Sequence, residues 1–400
     1  MIRHLPSVLV NPCCLLILAV ARPVWADNGD PLAEIKDLRT ADFLDSKMQA
    51  TVRTWIGKQV EILLDEDAEL SDKRGIRQVF NRAVGASPAA TPDFKKKFTR
   101  ATVEAFSEHL AEGEPTGVLM MVMILHDLRD LLPVSAFQKG GLLPALSHPL
   151  PAVKYWAART IRLMHPSFGD LSGPRQAVIA ALREAGVRET NGQALHEIYL
   201  ALDFSKTVGQ VGFADEVTQA LVDVFEARGE GYATGRISVS DGEVAGLTAM
   251  SKLSGPMAEP GQAQLRKRYL TALGRMLCRI VDDYTGQLEM GSDRLDRNRK
   301  LLLRRLLLVT RGIEKELGRL VKAAGIKDNA DHDLYGKMRG GLEAEILVER
   351  NKWCGWPPET KGVLNHKTLG VPIGAGYTEI KNRKPETKPA STQPKASSSG

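Results

Sequence analysis

The sequence predicts an all-α protein built of stacked antiparallel helix pairs, with an irregular helical bundle as the alternative. Three observations carry this. Apolar residues recur at helical spacing through most of the chain, cap signals stand where those runs begin, and alternating strand patterns are scarce. Only residues 236–239 and 369–380 read as short extended pieces, and neither makes a sheet.

Taken in order, residues 1–26 read as a cleavable signal peptide. Arg3 supplies a basic start, an apolar run centred on Leu15 to Leu18 follows, and Val24 and Ala26 stand at the −3 and −1 positions of a cut before Asp27. Pro23 stops any helix ahead of that cut. A membrane-spanning helix needs about 20 apolar residues, roughly twice this run. The expectation is an exported chain, periplasmic or extracellular, with no transmembrane segment after signal removal. Removal takes out Arg3 and Arg22 and lowers the formal net charge from +6 to about +4. The tail from Lys381 holds five basic residues against Glu386, so the body between is near neutral. The basic balance is therefore no argument for nucleic acid, which export also disfavours as a partner. Of four cysteines, Cys278 and Cys354 remain, a possible disulfide in an oxidising compartment. In the chain-entropy model such a link stabilises by on the order of 4 kcal/mol. The alternative is that Cys278 is a buried thiol in an apolar helix.

Residues 27–116 read as an N-terminal helical region. Thr91-Pro92-Asp93 gives an N-cap, a proline at the first helical position and a first-turn acid. Ser240-Asp241-Gly242-Glu243 matches a capping box, and Gly186, Gly229 and Gly255 stand where helices are expected to stop. Between residues 117 and 229 the spacing predicts helix pairs: 118–130 with 135–146, 152–164 with 174–185, and 192–203 with 214–227. The stretch from Leu142 through Ser147-His148-Pro149 to Val153, Ala157, Ala158 and Arg159 resembles a HEAT-type repeat junction. That resemblance implies a HEAT-like α-α superhelix, in which each pair buries its apolar face on its neighbours.

Residues 230–353 form a C-terminal long-helix region. It holds two long amphipathic helices between 263 and 325, broken near Gly291-Ser292, and a helix capped by Asn329 or Asp331 that runs to about Trp353. Residues 354–380 are rich in Gly and Pro. Residues 381–400 are a basic tail whose composition cannot bury a core, so disorder is expected there.

Chemistry leaves a thin trace. No Gly-x-Ser-x-Gly, Ser-x-x-Lys or phosphate-cradling glycine motif occurs, and His196-Glu197 lacks the second histidine of a zincin helix. No cofactor and no metal site are expected. Asp331-His332-Asp333 gathers potential ligands that a helix start explains equally well. His126-Asp127 and Asp282-Asp283 are the candidates for acid–base chemistry should the chain be an enzyme. The most individual feature is a basic helix over 293–322, in which Arg297, Arg304 and Arg311 recur every seven residues and so share a face. The leucines from 301 to 308 are expected to supply its buried side. The reading is an exported, non-catalytic scaffold that binds another macromolecule, a protein or an anionic envelope polymer, through Arg297, Arg304 and Arg311. The alternative is a hydrolase-like enzyme with a dispersed active site.

Overall fold

Several helices begin where a side chain accepts the first free amide hydrogens. Asp45 accepts from Met48 N at 2.8 Å and opens α1 (Ser46–Leu64). Thr91 accepts from Phe94 N at 3.3 Å with Pro92 next in line, opening α3 (Pro92–Ser107) as its sequence predicts. Glu114 takes the amides of Thr116 and Gly117 at the start of α4 (Pro115–Asp127) while pairing with the buried Lys73 of α2 (Leu70–Val84) at 2.6 Å.

The computed structural model describes residues 30–85, 89–137, 141–168, 172–204, 214–253, 257, 259–289, 297–327, 332–355, 361–369 and 371. Among these the protein is all-helical, without strands, and holds fourteen α-helices. The residues read as signal peptide and as basic tail lie outside the described set, as does most of 369–380. Residues 236–239, the other extended candidate, form no strand. No described helix is long and apolar enough to cross a membrane.

The chain divides into two compact units between Thr160 and Ile161, inside α5 (Pro151–Leu163). In the first unit α1 to α4 pack around an aromatic cluster. Trp55, Phe80, Phe98 and Phe106 are fully buried, with ring centroids 5.4 to 5.9 Å apart. Tilted rings at this spacing suit the aromatic quadrupole and bury large apolar areas. The junction that resembles a HEAT repeat keeps its apolar face, with Val153, Ala157 and Ile161 buried. Its first arm differs from expectation. Instead of one helix over 135–146 there are two 3₁₀ stretches, Val134–Phe137 and Leu143–Ser147, with 138–140 outside the described residues. Pro133 and Pro144 each withhold an amide from a helical ladder, which favours such short pieces.

The second unit is a two-row stack. Its helices are α6 (His165–Phe168), α7 (Ser172–Arg188), α8 (Gly192–Leu202), α9 (Ala214–Ala233), α10 (Gly242–Lys252), α11 (Ala263–Glu289), α12 (Arg297–Ala323), α13 (Leu334–Gly340) and α14 (Glu343–Cys354). One row runs α7, α9, α11 and the other α8, α10, α12, each helix lying on the one two places before it. The helix pairs are therefore α7–α8, α9–α10 and α11–α12. The pairing is offset by one helix from the sequence reading, and it carries on past residue 229 to 323.

Glycines are the reason the rows stack closely, and this corrects the reading of two of them as helix stops. Gly186 lies within α7 and Gly229 within α9. A Cβ on Gly229 would stand 2.9 Å from Ala272 Cα of α11, and one on Gly186 would stand 2.8 Å from Val224 of α9. The second row repeats the device, with Gly246 against Tyr199 and Gly312 against Leu247. Gly255 is outside the described residues. Stops of this type are instead Gly341 and Gly355, both at φ 70°; Gly341 breaks the expected single helix up to Trp353 into α13 and α14. Asp333 rather than Asn329 or Asp331 caps α13, accepting from Gly336 N at 3.0 Å.

A buried charge network pins the stack. Arg228 of α9 donates to Glu243 of α10 through Nε at 2.8 Å and to the Glu189 carbonyl, beyond the end of α7, at 3.0 Å; Tyr232 also donates to Glu243. Ser240 N and Oγ bind the other Glu243 oxygen at 3.1 and 2.5 Å. Only half of the expected capping box therefore forms. Glu243 receives the Ser240 amide, but Ser240 Oγ donates to Glu243 and accepts from Gly242 N at 3.3 Å rather than from the amide of Glu243.

Candidate interaction surface

α12 is positioned by a face that the 3.6-residue period sets apart. Leu306, Val309, Ile313, Leu317 and Leu320 are buried, where α12 packs on α10 and α11. Its two acids after the midpoint turn to its neighbours. Glu314 accepts from the amides of Leu334 and Tyr335 at 2.7 and 3.1 Å, and from Trp353 Nε1 at 3.4 Å. Glu316, buried, pairs with Arg319 through Nε at 2.9 Å. Arg305 pairs with Asp241 at 2.9 Å, and Arg299 donates to the Gln287 carbonyl.

The three arginines singled out by their spacing lie on the opposite side. Arg297, Arg304 and Arg311 are all exposed, and among the described residues no acid pairs with any of them. Arg311 stands over the Tyr335 ring, 5.6 Å from its centroid. Lys315 and Lys322 continue the same exposed row, likewise without an acid partner among the described residues. The leucines between them do not all turn inward as the sequence reading has it. Leu301 is 50% exposed and Leu308 44%. Both fall one turn from the arginines, where the neighbouring helices do not reach. The C-terminal part of the row opens on a cleft of 720 Å³ between α12 and the α13–α14 hairpin, whose lining includes Arg311, Lys315 and Lys322, the acids Glu314 and Asp333, and the rings of Tyr335, His332 and Trp353. The His332 and Trp353 rings stack there at 3.9 Å.

Cys278 and Cys354 are both free and buried. Cys354 Sγ donates to the Gly274 carbonyl at 4.0 Å, and Arg350 donates to Asp282 at 3.2 Å. Gly274, Cys278 and Asp282 are successive turns of α11, and Arg350 and Cys354 are successive turns of α14. The two contacts therefore run antiparallel and set Cys278 opposite Cys354. The Cys278 thiol is pushed well up by its hydrogen bond to Cys354 and by burial.

The acid–base candidates are tied into packing. His126 Nδ1 lies 3.1 Å from Thr160 Oγ1 with the ring edge-on to Trp156, and burial lowers its pKa to about 4. Asp127 is clamped by Arg77 at 2.7 and 2.9 Å and by Asn81 at 2.8 Å. Burial raises the Asp282 pKa against the pull of Arg350 and Arg279, and Asp283 pairs with Arg279 at 2.8 Å. Glu197 is buried and pairs with Arg162 at 3.2 Å. None of these side chains lines the α12 cleft. Among the described residues no group of three or more His, Cys, Asp or Glu is placed to hold a metal ion. Asp331 lies outside them, His332 stacks on Trp353 and Asp333 serves as a cap.

Comparison with known proteins returns no matching family model, curated protein or solved structure.

Proposed function

We propose that the chain is an exported, non-catalytic helical interaction protein that docks an anionic macromolecule on the outward face of α12. One observation carries this reading: Arg297, Arg304, Arg311, Lys315 and Lys322 stand exposed in one row, and no acid forms an ion pair with any of them among the described residues. Two cations elsewhere on the same helix do have acid partners, Arg305 with Asp241 and Arg319 with Glu316. A row left uncompensated raises the local concentration of anions and steers them to the surface. The signal-like N-terminus supports an exported setting, which favours an acidic protein or envelope polymer over nucleic acid. The test is binding to immobilised polyglutamate across a salt gradient. The wild-type chain is expected to be retained, and an Arg304→Glu, Arg311→Glu variant to elute early. Equal elution of the two chains would remove the assignment.

A further inference from the structure

The exposed residues of α12 carry more than charge. Arg297, Leu301, Arg304, Leu308, Arg311 and Lys315 follow one another at alternating steps of four and three, and Gly318 and Lys322 continue the alternation. On an α-helix this places all of them within a stripe about 100° wide. A 3.5-residue repeat of this kind is the seam of a coiled coil, in which the residues of one helix seat between those of another. α12 therefore has two faces. The inner one is filled by α10 and α11, and the outer one has the period of a helix–helix contact with leucines at alternate steps. A scattered exposed leucine needs no explanation, but two leucines in register within a cationic seam describe a shape.

Charge decides the occupant. A second copy of this helix would set Arg304 and its neighbours against like charges in either direction, and like charges brought together are repelled. An anionic polymer without side-chain pattern would satisfy the cations and leave Leu301 and Leu308 in water. We infer that the occupant is an amphipathic α-helix of a partner protein, with apolar residues that pack on Leu301 and Leu308 and glutamates or aspartates that meet Arg297, Arg304, Arg311 and Lys315. Arginine suits the second task, since its planar fork meets a carboxylate through two hydrogen bonds. Gly318 leaves space at the C-terminal end of the seam, where a Cβ would meet nothing within 4 Å. The partner helix thus runs over the mouth of the cleft floored by Trp353.

This inference rests on the proposed anionic docking and is tested separately from it. The probe is a fluorescein-labelled synthetic peptide of four heptads, leucine at the seam positions and glutamate flanking them. The controls are a scrambled peptide of identical composition and polyglutamate. Anisotropy titrations against the full chain are expected to show the patterned peptide binding at least about tenfold more tightly than the scrambled one. A Leu301→Ser, Leu308→Ser variant is expected to lose that difference while keeping the affinity for polyglutamate. Both leucines are exposed, so the variant keeps its fold, which its circular-dichroism melt verifies. Equal affinity for the patterned and scrambled peptides overturns the helix partner and leaves the docking of anions standing. Failure of all three probes overturns both. A concentration-dependent dimer in sedimentation velocity, abolished by the Leu301→Ser, Leu308→Ser variant, assigns the seam to a second copy and also overturns the inference.

Discussion

Arginine does opposite work in two parts of the second unit. Arg228 is 1% exposed and spends its donors on Glu243, Tyr232 and the Glu189 carbonyl, so that three elements meet at one guanidinium. Arg304 is exposed on α12 and has no such partner among the described residues. The first is tied to the stack and the second is held ready outside it. A buried guanidinium requires a full set of acceptors, because desolvation is severe and water cannot substitute. A surface guanidinium is hydrated and can keep its hydrogen-bonding capacity for a partner. The charge count of this chain therefore says little until each cation is placed.

Arg228→Met leaves Glu243 buried without its cation and is expected to destabilise by about 3 to 5 kcal/mol, read from urea melts. If the contrast is wrong, this variant will melt like the wild type. Acid comes next. His126 in the first unit and His165 in the second are buried, and burial lowers each pKa from 6.5 to about 4. Between those values the unfolded chain binds protons that the folded one does not. Stability is therefore full above about pH 6.5 and falls as pH drops toward 4, by about 1.4 kcal/mol per pH unit for each histidine. Urea midpoints measured across that window check the slope, and His165→Phe should remove its half of it.

Gly229→Val inserts a side chain where Ala272 already stands and is expected to destabilise by about 1 to 3 kcal/mol, again by urea melt. Oxidation of the thiol pair follows. A small-molecule disulfide oxidant is expected to join Cys278 to Cys354, seen as the loss of two hydrogens in the intact mass and the loss of free thiol. Cys354→Ser should abolish it. The smallest effect on folding is expected at the seam, where Arg304→Glu should shift the melt by no more than about 0.5 kcal/mol. There the contrast with Arg228 is complete.

Much of this architecture was legible before the structure. The helical period located α4, α5, α7, α8, α11 and α12, and Thr91-Pro92-Asp93 located the start of α3. What misled was chemistry with two uses. Gly186 and Gly229 carry the residue type of a helix stop, yet the same missing side chain serves close packing, and only the neighbouring helix distinguishes the two. Ser240 and Glu243 have capping-box spacing, but the Ser240 hydroxyl turns to the Glu243 carboxylate, whose other oxygen Arg228 holds from fifteen residues upstream. The candidate surface was half readable. The seven-residue repeat of Arg297, Arg304 and Arg311 was visible, whereas the run of leucines hid that Leu301 and Leu308 belong with the arginines. The 3.5-residue alternation through both sets was the available signal. The antiparallel register that brings Cys278 to Cys354 depends on how α11 and α14 pack, which no local pattern encodes.

The floor of the α12 cleft gives the molecule a gauge of its own. Trp353 is bonded to Glu314, stacked on His332 and roofed by a cleft that shares Arg311 and Lys315 with the seam. Whatever settles on the C-terminal half of α12 changes the water and the charge above that indole. Its emission wavelength should therefore report occupancy without any added dye, and Trp353→Phe identifies the part of the signal that belongs to it.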